Sequence, residues 1–377
     1  LLTSPDGAGW ERNWNSPIFD TLNGITFGDD IFVAVGDYGA IYTSSDGVDW
    51  GRNWNSPISD TLNGITFGDG SFVAVGNYGK IYTSSDGTEW VASTSTDTSD
   101  TLNGVSYGSG SFVAVGSYGT ILTSSDAGTT WENRQDHGVT TQDLNGVSFG
   151  SGSFVAVGYD ETIITSSDGA AWTSVHSTSS GGYRKYFGVT YANNTFAAVG
   201  FDMNSGQGVI LTSSNAVLST DESTRLALHN LDDDFPEDVT VSVSSSNTSE
   251  ATVTPETLTF TPNNWDSAQT VTVTGVDDNN MDGHKEYEVG LSAEILTALS
   301  AGTNWVDRTD PQVYIPHLFN GVSYGNGTFV AVGGEGNIYT SSDGITWSSQ
   351  DSGLYGEGLR EVTYGNGTFV AVGDDGV

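Results

Sequence analysis

Apolar positions along this chain come in short bursts, not in stripes. The run "FVAVG" is apolar at consecutive positions, as in a strand buried on both faces. A β-rich "NGITF" and a Gly-containing turn precede it. "IYTS" follows as a third strand, then Asp-Gly, a strong hairpin signal, and a Trp that opens a fourth. No segment carries a helical period of useful length. The unit recurs at 22–50, 62–90, 102–131, 144–172, 186–216 and 318–347. The first two copies share even the linkers after them, "WERNWNSPIFDT" and "WGRNWNSPISDT", which implies a recent duplication. Four strands in about 40 residues form one blade of a β-propeller.

A seventh copy is split between the ends. "LREVTYGNGTFVAVGDDGV" (359–377) and "LLTSPDGAGW" (1–10) join without a gap to match "VAVGDYGAIYTSSDGVDW". The first two strands of one blade are therefore predicted from the C-terminal segment and the last two from the N-terminal segment, which closes the ring and removes open sheet edges. Because Leu1 falls in the middle of a repeat, a processed end or a segment of a longer chain is expected. The repeat containing "TSSNA" breaks off at 216 and its ending resumes at "GTNW", 302–305. About 85 residues are thus inserted into a hairpin turn, a place that tolerates insertion. Without them about 42 residues remain for each of seven blades, the right size for one blade apiece. The predicted fold class is all-β: a propeller at 1–216 and 302–377, with a β-sandwich inserted at 217–301. The insert reads differently: "DVTVSVSSS", "ATVTP", "TLTFT" and "QTVTVTGV" alternate apolar residues with Thr or Ser, as half-buried antiparallel strands do.

Composition narrows the function classes. The 377 residues carry 47 acids against 10 Lys and Arg, a formal charge of −37, so a nucleic-acid partner and an anionic membrane surface are both disfavoured. No apolar run reaches the ~18 residues of a membrane span, so none is expected in this segment. Such acidity suits a secreted or cell-surface protein in salty or calcium-containing water. Cysteine is absent, which excludes disulfides and thiolate metal sites.

The repeated turn carries Asp6, Asp46, Asp86, Asp126, Asp168 and Asp343, with Asn215 in the broken copy. The Trp residues that follow are Trp10, Trp50, Trp90, Trp131, Trp172, Trp305 and Trp347. An Asp here can accept backbone N–H bonds from residues further along, and the Trp ring can cover the blade. "SSDAGTTW" (124–131) resembles the Asp-box in full, while the other intact copies have a turn one residue shorter. The resemblance implies a structural element of the propeller periphery. It is shared by sialidases, other glycosidases, sortilin-like receptors and a photosystem II assembly factor, and so implies no single activity. Within the insert, "LTFTPNNWDSAQTVTVTGVDDN" resembles Calx-β-like and immunoglobulin-like modules of bacterial surface proteins. That resemblance implies a surface location, disfavours a photosystem role, and makes Asp277, Asp278, Asp282 and Glu222 candidate calcium ligands. The crowded oxygens of "GVDDNNMDG" suit the six to eight ligands of calcium.

Catalytic signals are weak. The arginines are not arranged as a sialidase triad requires, and the five histidines are isolated, without zinc spacing. A glycosidase needs two convergent carboxylates. Asp160, Glu161, Asp202, Glu335, Asp374, Asp375 and Glu361 fall near one rim. Aromatic residues gather there too: Tyr38, Tyr78 and Tyr118 in the loops between second and third strands, and Trp14, Trp54 and Tyr183 in the linkers between blades. Exposed rings beside Asn and Asp suit contact with glycan or protein; packing between blades is the other use for such rings. The expected role is non-catalytic adhesion or recognition of an extracellular glycan or protein. Alternatives are a structural subunit of a surface fibre, sheath or layer, which would bind copies of itself, and a glycosidase with a carboxylate pair at the channel mouth.

Overall fold

The computed structural model describes residues 1–13, 18–54, 56–94, 98–134, 138–175, 183–214, 239–246, 248, 251–260, 269–276, 289–294, 305–309, 318–354 and 356–377. Two compact units divide the chain, Leu1–Asn215 with Ser300–Val377, and Ala216–Leu299.

The first unit holds seven four-stranded antiparallel sheets, each ordered from an inner to an outer strand. Their inner strands are Leu22–Gly28, Leu62–Gly68, Leu102–Gly108, Leu144–Gly150, Arg184–Ala192, Phe319–Gly325 and Leu359–Gly365, which define blades 1 to 7. Each inner strand packs beside the next, and the seventh packs beside the first, so the ring is closed. Blade 7 draws its inner pair from the C-terminal segment and its outer pair from the N-terminal one. Leu2, Thr3 and Ser4 pair with Ala371, Val370 and Phe369, and the backbone nitrogen of Leu1 lies 2.8 Å from the Gly376 carbonyl oxygen. The outer strands of the blades span only two or three residues, which leaves little edge for stray pairing.

The doubly apolar "FVAVG" strands explain the core. In blade 1, Phe32, Val33, Ala34 and Val35 are all fully buried. Successive side chains point to opposite faces of a strand. Val33 and Val35 accordingly pack with Leu62, Phe72, Ala74 and Trp90 of blade 2, whereas Phe32 and Ala34 pack with Val370 and Val372 of blade 7. Every interface between blades repeats this exchange. Close packing follows from glycine. A Cβ on Gly28 would stand 2.1 Å from the Phe67 ring of the next blade, so that ring lies flat on bare backbone.

In the second unit, Val239–Ser245 pairs with Thr257–Phe260 and with Val289–Glu294, and Ala251–Thr254 pairs with Thr272–Gly275. Burial alternates along Ala251–Thr254, as the Thr-interleaved pattern requires. Val243 and Leu258 of one sheet share an apolar cluster with Val253 of the other.

Candidate recognition rim and central channel

The Asp-Gly-Trp turns come first, because they recur most. In blade 1, Asp46 Oδ1 accepts the N–H groups of Val48 and Asp49, both at 2.9 Å. Ser44 Oγ accepts the Gly47 N–H, and Trp50 Nε1 donates to the Gly47 carbonyl at 2.9 Å. The same bonds recur around Asp6, Asp86, Asp168 and Asp343; in the turn of Asp126, one residue longer, Oδ1 accepts the Thr130 N–H and Oδ2 the Thr130 hydroxyl. Backbone N–H groups aimed at the carboxylate hold its pKa below the usual range, to about 2 for Asp86. Gly47 turns at φ +75°, and a Cβ on it would press to 2.9 Å from Val370 of the preceding blade. The turn therefore seals a blade interface away from the channel. Trp50, Trp90, Trp131, Trp172 and Trp305 are buried, and Trp10 and Trp347 are half-buried.

The opposite rim is built from the loops between second and third strands and from the interblade linkers. The two sets touch. A Cβ on Gly39, Gly79 or Gly376 would collide with the backbone carbonyl of Ile58, Thr98 or Ile18 in the adjoining linker. One residue before each of these glycines the chain takes a left-handed turn. Tyr38, Tyr78 and Tyr118 occupy that position in blades 1, 2 and 3, at φ 55°, 59° and 57°. All three side chains are exposed, at 80%, 69% and 68%. They do not pack between blades. At the same position Glu335 and Asp375 stand in blades 6 and 7, also left-handed.

Trp54 and Tyr183 are exposed on the linkers, and so is Phe19, which the sequence reading missed because the matching position of the next linker holds Ser59. Trp54 covers the Arg52 guanidinium at 4.2 Å. Arg52 pairs with Asp20 at 2.9 Å, and Asp20 accepts the Tyr42 hydroxyl at 2.6 Å. Burial and the Asp20 charge both push the Tyr42 hydroxyl pKa up. Trp14 and the candidate calcium ligands Asp277, Asp278, Asp282 and Glu222 lie outside the described residues.

The rim encircles the mouth of the channel. Just inside it, each inner strand shifts register by one residue against its neighbour. In five blades the residue at the shift is an Asn. Asn23, Asn63, Asn103, Asn145 and Asn320 each donate from Nδ2 to a backbone carbonyl at the start of the next inner strand, at 2.7–3.0 Å. Those five amides tie neighbouring blades around the axis. Phe187 and Arg360 hold the position in blades 5 and 7.

The next residue stands against the backbone of the neighbouring blade. Six blades place glycine there: Gly24, Gly64, Gly104, Gly146, Gly188 and Gly321. A Cβ on each would approach the next blade's carbonyl oxygen to 2.8–3.3 Å. Blade 7 places Glu361. Its Oε1 accepts the Val362 N–H at 3.0 Å, and its side chain lines a cavity of about 110 Å³ in the channel. Solvent reaches this side chain along the axis, but protein surrounds it, and burial pushes the carboxyl up to about 8 despite the Val362 N–H. Of the seven acids expected near one rim, Glu361 alone lines this cavity. Asp374 instead pairs with Arg360 at 2.6 Å, and Asp202 with Arg184 at 3.3 Å.

No family model matches this chain, and no curated protein matches it either. Solved structures do. YCF48 bound to a D1 peptide superposes with a TM-score of 0.56 at 14% identity, covering 97% of this chain and 94% of that one. YCF48 from Cyanidioschyzon merolae gives 0.53 at 15%, covering 96% and 94%. Virginiamycin B lyase from Staphylococcus aureus gives 0.59 at 10%, with the same coverage. One of these proteins holds a peptide and another is named a lyase, so what the likeness shows for this chain is the seven-bladed β-propeller fold.

Proposed function

We propose that this chain is a non-catalytic recognition protein, secreted or at the cell surface, that docks a protein or a glycan on the rim formed by Tyr38, Tyr78, Tyr118, Trp54 and Tyr183. One observation carries the reading. Three successive blades place an exposed tyrosine in a left-handed turn, where a non-glycine residue costs ~1–2 kcal/mol and glycine or asparagine fits more easily. The rings gain nothing by burial in return, so the cost is offset only when a ligand covers them. That YCF48, with the same fold, is seen with a bound peptide supports a protein ligand. A glycosidase would need a second carboxylate beside Glu361, and the cavity lining among the described residues holds one.

The surface location rests on the net charge and on the Calx-β-like insert, for which calcium at Asp277, Asp278, Asp282 and Glu222 belongs to the same proposal. The Asp-Gly-Trp turns fit the Asp-box as a structural element. To test the rim, wild-type protein and the triple variant Tyr38→Asn, Tyr78→Asn, Tyr118→Asn are compared on peptide and glycan arrays. Ligands held by the wild type are expected to be lost by the variant at unchanged melting temperature. A variant that retains them all refutes the rim, and sedimentation showing ordered self-association through other surfaces favours a structural subunit.

A further inference from the structure

The ring of inner strands contains one departure that the folding of the propeller does not require. Six blades meet the crowding at the channel waist with glycine. Blade 7 meets it with Glu361, whose Oε1 lies 2.7 Å from where a Cβ on Gly321 would stand. The side chain therefore lines the channel at the seam between blades 6 and 7. Around it run backbone carbonyl oxygens, those of Asn63, Asn103, Asn145, Phe187, Asn320 and Arg360, each beside the bare Cα of the preceding blade. The environment offers acceptors and a single carboxyl group.

No cation among the described residues pairs with Glu361. Inner strands Leu22–Gly28 and Phe319–Gly325, which flank it, carry no charged residue, and neither does its partner strand Thr368–Gly373. Tyr324 on the flanking strand and Tyr364 on Glu361's own strand, Leu359–Gly365, pack against Phe329 and Phe369 further along the blades, and Arg360 on that same strand pairs with Asp374.

We infer that the rim end of the channel receives a single primary ammonium group, the tip of a lysine side chain presented by a docked protein, with Glu361 as its counter-ion. This rests on the protein-docking reading of the rim. Three features select the ligand. An ammonium carries three donors on a compact head, which match one carboxylate oxygen plus ring carbonyls, whereas guanidinium is a wide planar fork that needs both carboxylate oxygens. Glu361 Oε1 already accepts the Val362 N–H. Calcium takes six to eight oxygens, commonly from several carboxylates, and one is present here. The cavity of about 110 Å³ has room for several waters or for the end of one unbranched side chain. Its position just inside the rim puts it at the same end of the channel as the tyrosine loops.

Burial keeps Glu361 protonated near neutral pH, so an entering ammonium must displace its proton. Lysine stays charged throughout this range. Apparent affinity should therefore rise about tenfold per pH unit below pH 8 and level off above it.

The test uses protein labelled with ¹³C at the glutamate carboxyls, with the Glu361 signal assigned by its loss in Glu361→Gln. The probe is Nα-acetyl-lysine methylamide at about 0.1 M, enough to saturate a millimolar site. The Glu361 signal is expected to move to the ionised position, saturably, with the stated pH dependence. The norleucine analogue should leave it in place. By a diffusion-based binding measurement, Glu361→Gln and Glu361→Gly should both lose the lysine amide by tenfold or more; Glu361→Gly folds on the same terms as the other six blades. An unmoved signal, an equal response to the norleucine analogue, or a stronger response to calcium than to the lysine amide each overturns the assignment. The triple tyrosine variant is expected to leave this titration unchanged, so failure of the rim and failure of the channel site are read separately.

Discussion

Replacement of Trp50 by alanine tests how the propeller holds together. The ring is 8% exposed and packs between blades 7 and 1, in one cluster with Phe32, Ala34, Tyr42, Val370 and Val372. A buried Trp removes ~200 Å² from water, which at ~25 cal/mol/Å² gives about 5 kcal/mol as an upper bound, since the unfolded chain already hides part of that surface. Alanine retains a little of the burial. The lost bond from Nε1 to the Gly47 carbonyl adds ~1 kcal/mol. The expected cost is ~3–5 kcal/mol, within the usual range for Trp→Ala. In urea, with a slope of ~3 kcal/mol/M, the unfolding midpoint should fall by roughly 1–1.7 M. Far-ultraviolet circular dichroism follows it, because loss of the strands is then read independently of the tryptophan that has been replaced. A fall below ~0.3 M would show that the turn tryptophans do not knit the blades and that the Asp-Gly-Trp repeat needs another explanation.

Four further outcomes follow from the same geometry. Gly104→Ala drives a Cβ to 2.8 Å from the Asn145 carbonyl and should cost ~1–3 kcal/mol, whereas Gly51→Ala, with nothing within 4 Å, should change stability by less than ~0.5; equal urea midpoints would refute the steric account of the waist. The turn aspartates have depressed pKa values when folded, so their contribution is present above the unfolded value near 4 and is lost as pH falls through the folded value, about 2 for Asp86; urea midpoints should drop between pH 4 and pH 2, and less steeply in Asp86→Asn. Glu361 has the opposite sign: its folded pKa is raised, so the native state loses stability as pH rises from about 4.5 towards 8, and Glu361→Gln should flatten that slope in melting curves. Tyr38→Asn should leave stability unchanged or raise it by up to ~1 kcal/mol, because Asn tolerates the left-handed turn; a loss of more than that would mean the ring is packed and not displayed.

Most of the propeller was legible because each blade restates its instructions. "FVAVG" announces a strand buried on both faces, and the gapless join of 359–377 to 1–10 announces closure. The pairing of Leu2 with Ala371 is what that join implies. The channel was harder to read. Glu361 was recognisable as one acid among seven near a rim, but its placement in the channel wall depends on a register shift at Arg360, and register shifts leave no mark in composition. Aligning the residue that follows the register shift in each inner strand exposes the signal, six glycines against one glutamate. Phe19 illustrates a different limit, since exposure of a linker residue is decided by neighbours distant in sequence.

A repeat protein supplies its own controls. When six copies solve a steric problem one way and the seventh does not, folding cannot be the reason, because the common solution was available at the same backbone. The left-handed loop position makes the same point. Glycine or asparagine would satisfy its φ at least cost, yet blades 1 to 3 carry tyrosine and blades 6 and 7 carry acids. The Asp-Gly-Trp turns behave oppositely: they repeat almost unchanged and sit where blades seal against one another. Uniformity thus marks what closes the disc, and departure at a fixed backbone position marks what the disc presents. Both kinds of departure, the displayed tyrosines and the channel-lining Glu361, fall at the same end of the channel. A ligand lying across that end meets aromatic surface on its flank and one acid in the channel wall.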